Sequence, residues 1–192
     1  MREKSDFIGV ESREYCPFVR KETEKLLVEV LKKYKPKKIL EIGTFLGYSA
    51  SLMSEVCPES QIVTLEKNKA NFDDARKNLQ DCKNVAIVNC DALDFLNDNQ
   101  NLTFDFIFLD GPKGQYIKYW PILKEMLCVG GIILADDILF YGLVSSSEKI
   151  DHKHRTLVNN LRKFIDVIKS DQNFEVQIFD FDDGVGIIKK LR

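Results

Sequence analysis

No apolar run in the 192-residue chain approaches the roughly 20 residues a helix needs to cross a bilayer. The charged opening MREKSDFIG has no apolar core of the kind a secretory leader requires. Histidine is scarce. The two present, His152 and His154, are two apart, which on a helix turns them to different sides and makes a metal pair improbable. The five cysteines (16, 57, 82, 90 and 128) are odd in number and form no CxxC pair. That favours free thiols over a disulfide frame or a zinc site and leads us to expect a reducing, cytoplasmic setting. Charge of one sign is lacking too: the net charge is −2, so no overall field draws the chain to nucleic acid or an anionic membrane.

Alternating helix and strand patterns fill the chain. RKETEKLLVEVLKKYK sets Leu26, Leu27, Val30, Leu31 and Tyr34 on one helical face before Pro36 stops it. KILEIG, IVTLE, NVAIVNC, FDFIFLD and GGIILAD read as buried strands. YSASLMSEV, NKANFDDARKNLQ, ALDFLND, YIKYWPILKEML and HRTLVNNLRKFIDVIK read as the intervening helices, with Trp120 and Pro121 at the start of a packed one. FEVQIFDF, the turn DDG and VGIIKK close the chain as a β-hairpin. Five βα units imply one α/β domain over residues 1–192, with a doubly wound, mostly parallel sheet. The hairpin brings the strands to seven, adding an antiparallel one.

Ligands of such sheets bind beyond the carboxyl ends of the strands. Acids stand at those ends: Glu41, Glu66, Asp91, Asp110 and the pair Asp136–Asp137. One or two would be ordinary helix caps; a series at five successive strand ends points to a shared site. The glycine turn after strand one is no pyrophosphate cradle. Gly43 and Gly47 are separated by three residues, and Phe45 and Leu46 would obstruct a phosphate. Glu66, 23 residues past Gly43, is placed to take both hydroxyls of a ribose. A ribose without phosphate, among acids, suggests a positively charged nucleoside. S-adenosylmethionine fits, with its ammonium near Glu41, its ribose on Glu66 and its adenine at the Asp91–Ala92 turn.

These stretches resemble the cation-dependent O-methyltransferases of the catechol and caffeoyl-CoA type, from about Pro17 to Lys190. The resemblance implies a Rossmann-like class I methyltransferase fold. LEIGTFLGYS is similar to the family's first motif, which implies Glu41, Gly43, Tyr48 and Ser49 around the methionine part of the cofactor. VTLEKN resembles the ribose motif with Glu66, and CDALDFL the adenine motif, with Cys90 replacing the usual glycine. PFVRKET implies that Val19 lines the cofactor pocket. FIFLDGPKGQY and GGIILADDILFYG resemble the metal-site motifs. They imply Asp110, Asp136 and Asp137 as ligands of Mg²⁺ or Mn²⁺, with Asp110 also bordering the cofactor. KGQY, RTLVNNLRKF and DDGVGIIKK look most like the bacterial tRNA 5-hydroxyuridine methyltransferases, which act on the wobble uridine. Two departures stand out. The segment before the first helix is short, so a lid helix common in relatives is expected to be reduced, and Asp137 replaces the usual asparagine.

The residue types support that chemistry. Carboxylate oxygens suit a hard cation rather than zinc. Crowded without a metal, three carboxylates repel one another, so at least one should titrate high. Lys113, three past Asp110, is the candidate base for the acceptor hydroxyl, provided burial and the metal depress its pKa. The acceptor is either tRNA or a small catechol-like or hydroxylated metabolite, and relatives commonly form homodimers. Lys149, Lys153, Arg155 and Arg162 could approach a phosphate backbone or simply form a charged helix face. The lysines at 32, 33, 35, 37 and 38 read as a solvated helix end remote from the site. Two other classes stay open. A nicotinamide oxidoreductase would need a G-x-G-x-x-G and a Tyr/Ser cluster, and both are missing. A non-catalytic nucleoside-binding protein would have no use for three aspartates and Lys113.

Overall fold

In the computed structural model, which describes residues 2–147 and 149–192, the apolar run Lys38–Ile42 forms the central strand β1. Strands β2 (Gln61–Glu66), β3 (Val85–Asn89), β4 (Phe104–Leu109) and β5 (Leu127–Ala135) run parallel to it. The hairpin is β6 (Phe174–Phe179) and β7 (Val185–Lys190). The seven strands are ordered β3-β2-β1-β4-β5-β7-β6. β7 enters between β5 and β6, antiparallel to both, so it alone is reversed. Its start, Val185–Gly186, is buried, whereas β6 is half exposed and suits the sheet edge.

Helices α1 (Lys21–Tyr34) and α2 (Tyr48–Val56) pack one face of the sheet, and α3 (Lys69–Asn78) joins α2 through Ala50, Ala75 and Leu79. Helices α4 (Ala92–Asp98), α5 (Tyr116–Met126) and α6 (His152–Ser170) cover the other face. The order reverses between β1 and β4, where a doubly wound sheet opens its ligand crevice. Among the described residues no helix is long and apolar enough to cross a membrane.

Three sequence expectations need adjusting. The fifth strand begins at Leu127, not Gly130, because a bulge opposite Phe104–Phe106 lets the chain pair earlier. Pro121 lies inside α5 rather than at its start, while Trp120 packs edge-on against Phe164 and Phe174. On α1 the buried stripe is Thr23, Leu27, Val30 and Leu31, whereas Tyr34 sits at the surface between Lys33 and Lys189. A threonine thus holds a place on an apolar stripe.

Candidate active site

The loop leaving β1 is held against the loop leaving β4. Gly43 has φ +104°, and a Cβ there would lie 2.4 Å from the Asp110 carbonyl oxygen, so only glycine lets the two loops meet. Phe45 also takes a left-handed backbone (φ +51°), its N–H donating to Glu66 Oε2 at 2.8 Å. Leu46, expected with Phe45 to obstruct a phosphate, is instead fully buried beneath the turn, and Phe45 forms cavity wall, edge-on to Phe18.

A cavity of about 340 Å³ opens beyond these strand ends. Glu66, Asp91, Ala92, Asp110, Asp136, Asp137, Gly43 and Lys113 all border it. Glu66 is nearly buried, and its Oε1 accepts the Asn68 N–H at 2.7 Å. Asp91 caps α4 through the Leu93 N–H and pairs with Lys67 at 2.9 Å, which holds its carboxyl below the usual range. Sequence reading overlooked Phe18, Arg20 and Tyr119 in the same wall. The first two sit in an irregular segment and the third on a helix with ordinary apolar spacing, so none carried a signal.

The residues implied around the methionine end are set deeper. Val19, Tyr48 and Ser49 flank a crevice of only about 10 Å³, which shares Gly43, Phe45 and Asp110 with the main cavity. The Tyr48 hydroxyl donates to Glu24 at 3.0 Å. Glu41 is fully buried and accepts from the hydroxyls of Ser49 and Thr64. Burial lifts its carboxyl to about 8 despite those two bonds. The N-terminal segment supplies the roof: Phe7 and Phe18 pack against Tyr48, and Asn78 bonds both Ile8 and the Leu46 carbonyl.

At the other end Asp110, Asp136 and Asp137 bring one carboxylate oxygen each within 4.8 Å of one another. Lys113 Nζ lies 2.6 Å from Asp110 Oδ1 and 3.3 Å from Asp137 Oδ2. Burial first, then the charges of Asp110 and Asp137, raises Asp136 to about 8; burial likewise raises Asp110. The expected high-titrating carboxyl is therefore found, although burial outweighs repulsion as its cause. For Lys113 the expectation required burial and the metal together to depress its pKa. Burial pulls its pKa down, but the adjoining carboxylates overrule it and hold the ammonium well above its ordinary value. With the carboxylates uncompensated, it pairs with them as a counter-ion. One lysine facing three close carboxylates, with hard oxygen donors only, fits a divalent cation.

These shifts predict a pH dependence. Asp136 and Glu41 bind protons in the folded state up to about pH 8, whereas unfolded carboxylates release them near 4. The folded state therefore holds more protons across that window, and stability should fall as pH rises through it. In chelator, the melting temperature should be higher at pH 6 than at pH 8. A flat or opposite trend would contradict the cluster described here.

Residues 16–191 match the O-methyltransferase family model. The chain belongs to this family. It is an S-adenosylmethionine-dependent O-methyltransferase. A caffeoyl-CoA O-methyltransferase from Populus kitakamiensis is 27% identical over 177 residues, covering 87% of this chain and 75% of that one. A flavonoid 3',5'-methyltransferase from Vitis vinifera is also 27% identical, over 84% and 74%. An S-adenosylhomocysteine-bound methyltransferase from Podospora anserina superposes with a TM-score of 0.79 at 26% identity, covering 91% and 80%. The methyltransferase family accounts for the missing dinucleotide fingerprint, and the oxidoreductase reading is set aside.

Two motif stretches of the methyltransferase prove to be one structural unit. The buried Tyr116 hydroxyl donates toward the carbonyls of Leu109 (2.9 Å) and Asp136 (3.2 Å), and its ring packs on Phe164. Asn160 donates to the Gly114 carbonyl at 2.9 Å. Thus KGQY and RTLVNNLRKF lock together behind Lys113. Arg162 is not free for a phosphate, because it donates to the carbonyls of Leu143, Val144 and Ser146.

Proposed function

We propose that the methyltransferase is cation-dependent and methylates the hydroxyl of a 5-hydroxyuridine at the tRNA wobble position. The observation that carries the cation dependence is the cluster of Asp110, Asp136 and Asp137 at the cavity end, which Lys113 pairs with and Arg20 faces from the same wall. Those three aspartates would hold Mg²⁺ or Mn²⁺. When bound, the cation supplies charge that lowers the pKa of the acceptor hydroxyl and orients it. S-adenosylmethionine supplies the methyl group from a sulfonium. Glu66 would bind the ribose and the Asp91–Ala92 turn the adenine, with the methionine end toward Gly43. Lys113 then faces fewer uncompensated carboxylate charges, so its ammonium is less strongly favoured and it is positioned to take the hydroxyl proton. The aromatic wall of Phe18, Phe45 and Tyr119 excludes water and helps align nucleophile, methyl and leaving sulfur.

The acceptor reading is supported by KGQY and RTLVNNLRKF, which carry the likeness to the tRNA enzymes and meet behind Lys113. It is also supported by Lys149, Lys153 and Arg155, all exposed. They flank the segment where Phe140 packs edge-on to His154 and Tyr141. A small planar phenol is the second reading, favoured by the curated relatives' named activities. Replacing Lys149, Lys153 and Arg155 by glutamine should weaken tRNA binding and flatten its salt dependence by about three counterions' worth of slope. Equal tRNA affinity and slope in the triple variant, with 5-hydroxyuridine methylation unchanged in cells lacking the protein, would favour the phenol.

A further inference from the structure

The threonine on the apolar stripe of α1 and the hairpin turn DDG are both unexplained by the active site as described so far. They meet. Arg20, at the N-terminal end of α1, makes no side-chain cap. Asp182, from the turn between β6 and β7, caps the helix instead: its Oδ2 accepts the Thr23 N–H at 2.8 Å and the Thr23 hydroxyl at 2.9 Å. The neighbouring Asp183 pairs with Arg20, and its carbonyl accepts the N–H groups of Leu139 and Phe140. The turn therefore ties α1 to the loop that follows β5.

The Thr23 hydroxyl is fully buried and lies 3.3 Å from Asp136 Oδ1. That oxygen also accepts the Asp137 N–H at 2.9 Å. Both bonds to the Asp136 carboxylate thus fall on Oδ1, and among the described residues none falls on Oδ2. A hydroxyl has one proton, so Thr23 can serve Asp182 or Asp136 but not both at once. Each carboxylate keeps a backbone N–H when the hydroxyl turns to the other, so the exchange leaves neither orphaned. A buried hydroxyl in such a fork is a device for orienting one carboxylate through another.

We infer that Thr23, braced by Asp182, is a positioning residue for Asp136: it turns Oδ1 inward and leaves Oδ2 to face a cation. The inference rests on the cation site proposed above and adds a residue outside its three aspartates. Partners of this kind orient ligands, and their loss commonly costs tenfold or more in metal affinity.

The test is Mn²⁺ binding to the intact protein, followed by the paramagnetic signal of free Mn²⁺, with no methyl donor or acceptor present. Thr23→Val keeps the shape and removes the hydroxyl, and should raise the Mn²⁺ Kd by roughly tenfold. Thr23→Ser restores the hydroxyl and should return the Kd to within about threefold of the parent. Turnover of Thr23→Val at saturating Mn²⁺ should recover most of the parent kcat, because the defect is in holding the ion. Should Thr23→Val fail to fold, Thr23→Ala, which also removes the hydroxyl, should raise the Kd by a similar factor. A parent-like Kd in Thr23→Val, or Thr23→Ser as defective as Thr23→Val, overturns the inference. Asp136→Ala is run alongside. If it too binds Mn²⁺ normally, the cation site itself is wrong; if it loses binding while Thr23→Val does not, only the role of Thr23 falls.

Discussion

Exhaustive chelation should reduce methyl transfer to background, and adding back Mg²⁺ or Mn²⁺ should restore it. The expected loss is about a thousandfold or more, because a site of this kind is asked for several kcal/mol of charge stabilisation. Without the cation, Lys113 is held as an ammonium between Asp110 and Asp137, so no base faces the acceptor hydroxyl. Asp110→Ala and Asp136→Ala should each be as inactive as the chelated protein while remaining folded. Asp137→Asn should behave differently. Residue 137 has φ +55°, a conformation asparagine adopts as readily as aspartate, so the backbone is unstrained. The amide carbonyl remains a hard ligand with one charge fewer, so divalent affinity should fall modestly and activity at saturating metal should largely persist. The cation should also stabilise the fold, since it binds only the assembled cluster. At a hundredfold excess over Kd the gain is about 2.7 kcal/mol, roughly 5–10 °C in melting temperature for a chain this size. It should also remove the contribution of Asp110 and Asp136 to the pH dependence, leaving that of Glu41. Activity that survives chelation undiminished would sink the metal reading.

Replacing Glu66 should weaken S-adenosylmethionine binding by roughly 1–3 kcal/mol, about 5- to 150-fold. The carboxylate does two jobs in the structure. Its oxygens accept the N–H groups of Phe45 and Asn68, which fixes the glycine turn and the start of α3. It also borders the cavity, where its remaining lone pairs are available to ribose hydroxyls. Glu66→Ala loses both functions and strands two amides. Glu66→Gln keeps the shape and one acceptor oxygen, so it isolates the charge and should sit at the low end of the range. Calorimetry on both variants, each checked for folding, separates the two contributions. Parent-like affinity in folded Glu66→Ala would remove this residue from the cofactor site.

What the sequence determined by itself was local. The 3.6- and 2-residue periodicities placed six helices and seven strands, because burial of one face imposes those periods regardless of the partner. Acids at successive strand ends announced one site, since parallel strands bring their carboxyl ends to one side of the sheet. Glu66, Asp91, Asp110, Asp136, Asp137 and Lys113 do border one cavity. What remained hidden depended on contacts between distant residues. The Tyr48 hydroxyl turns to Glu24 because the N-terminal aromatic segment packs on its ring. Lys113 is held charged because the balance between burial and carboxylate proximity is a matter of ångströms, which spacing cannot express. The tie from Asp182 through Thr23 to Asp136 spans residues 159 and 113 positions apart. Only the insertion of β7 beside β5 brings them together, because it delivers the hairpin turn to the end of β5, which Asp136 follows directly.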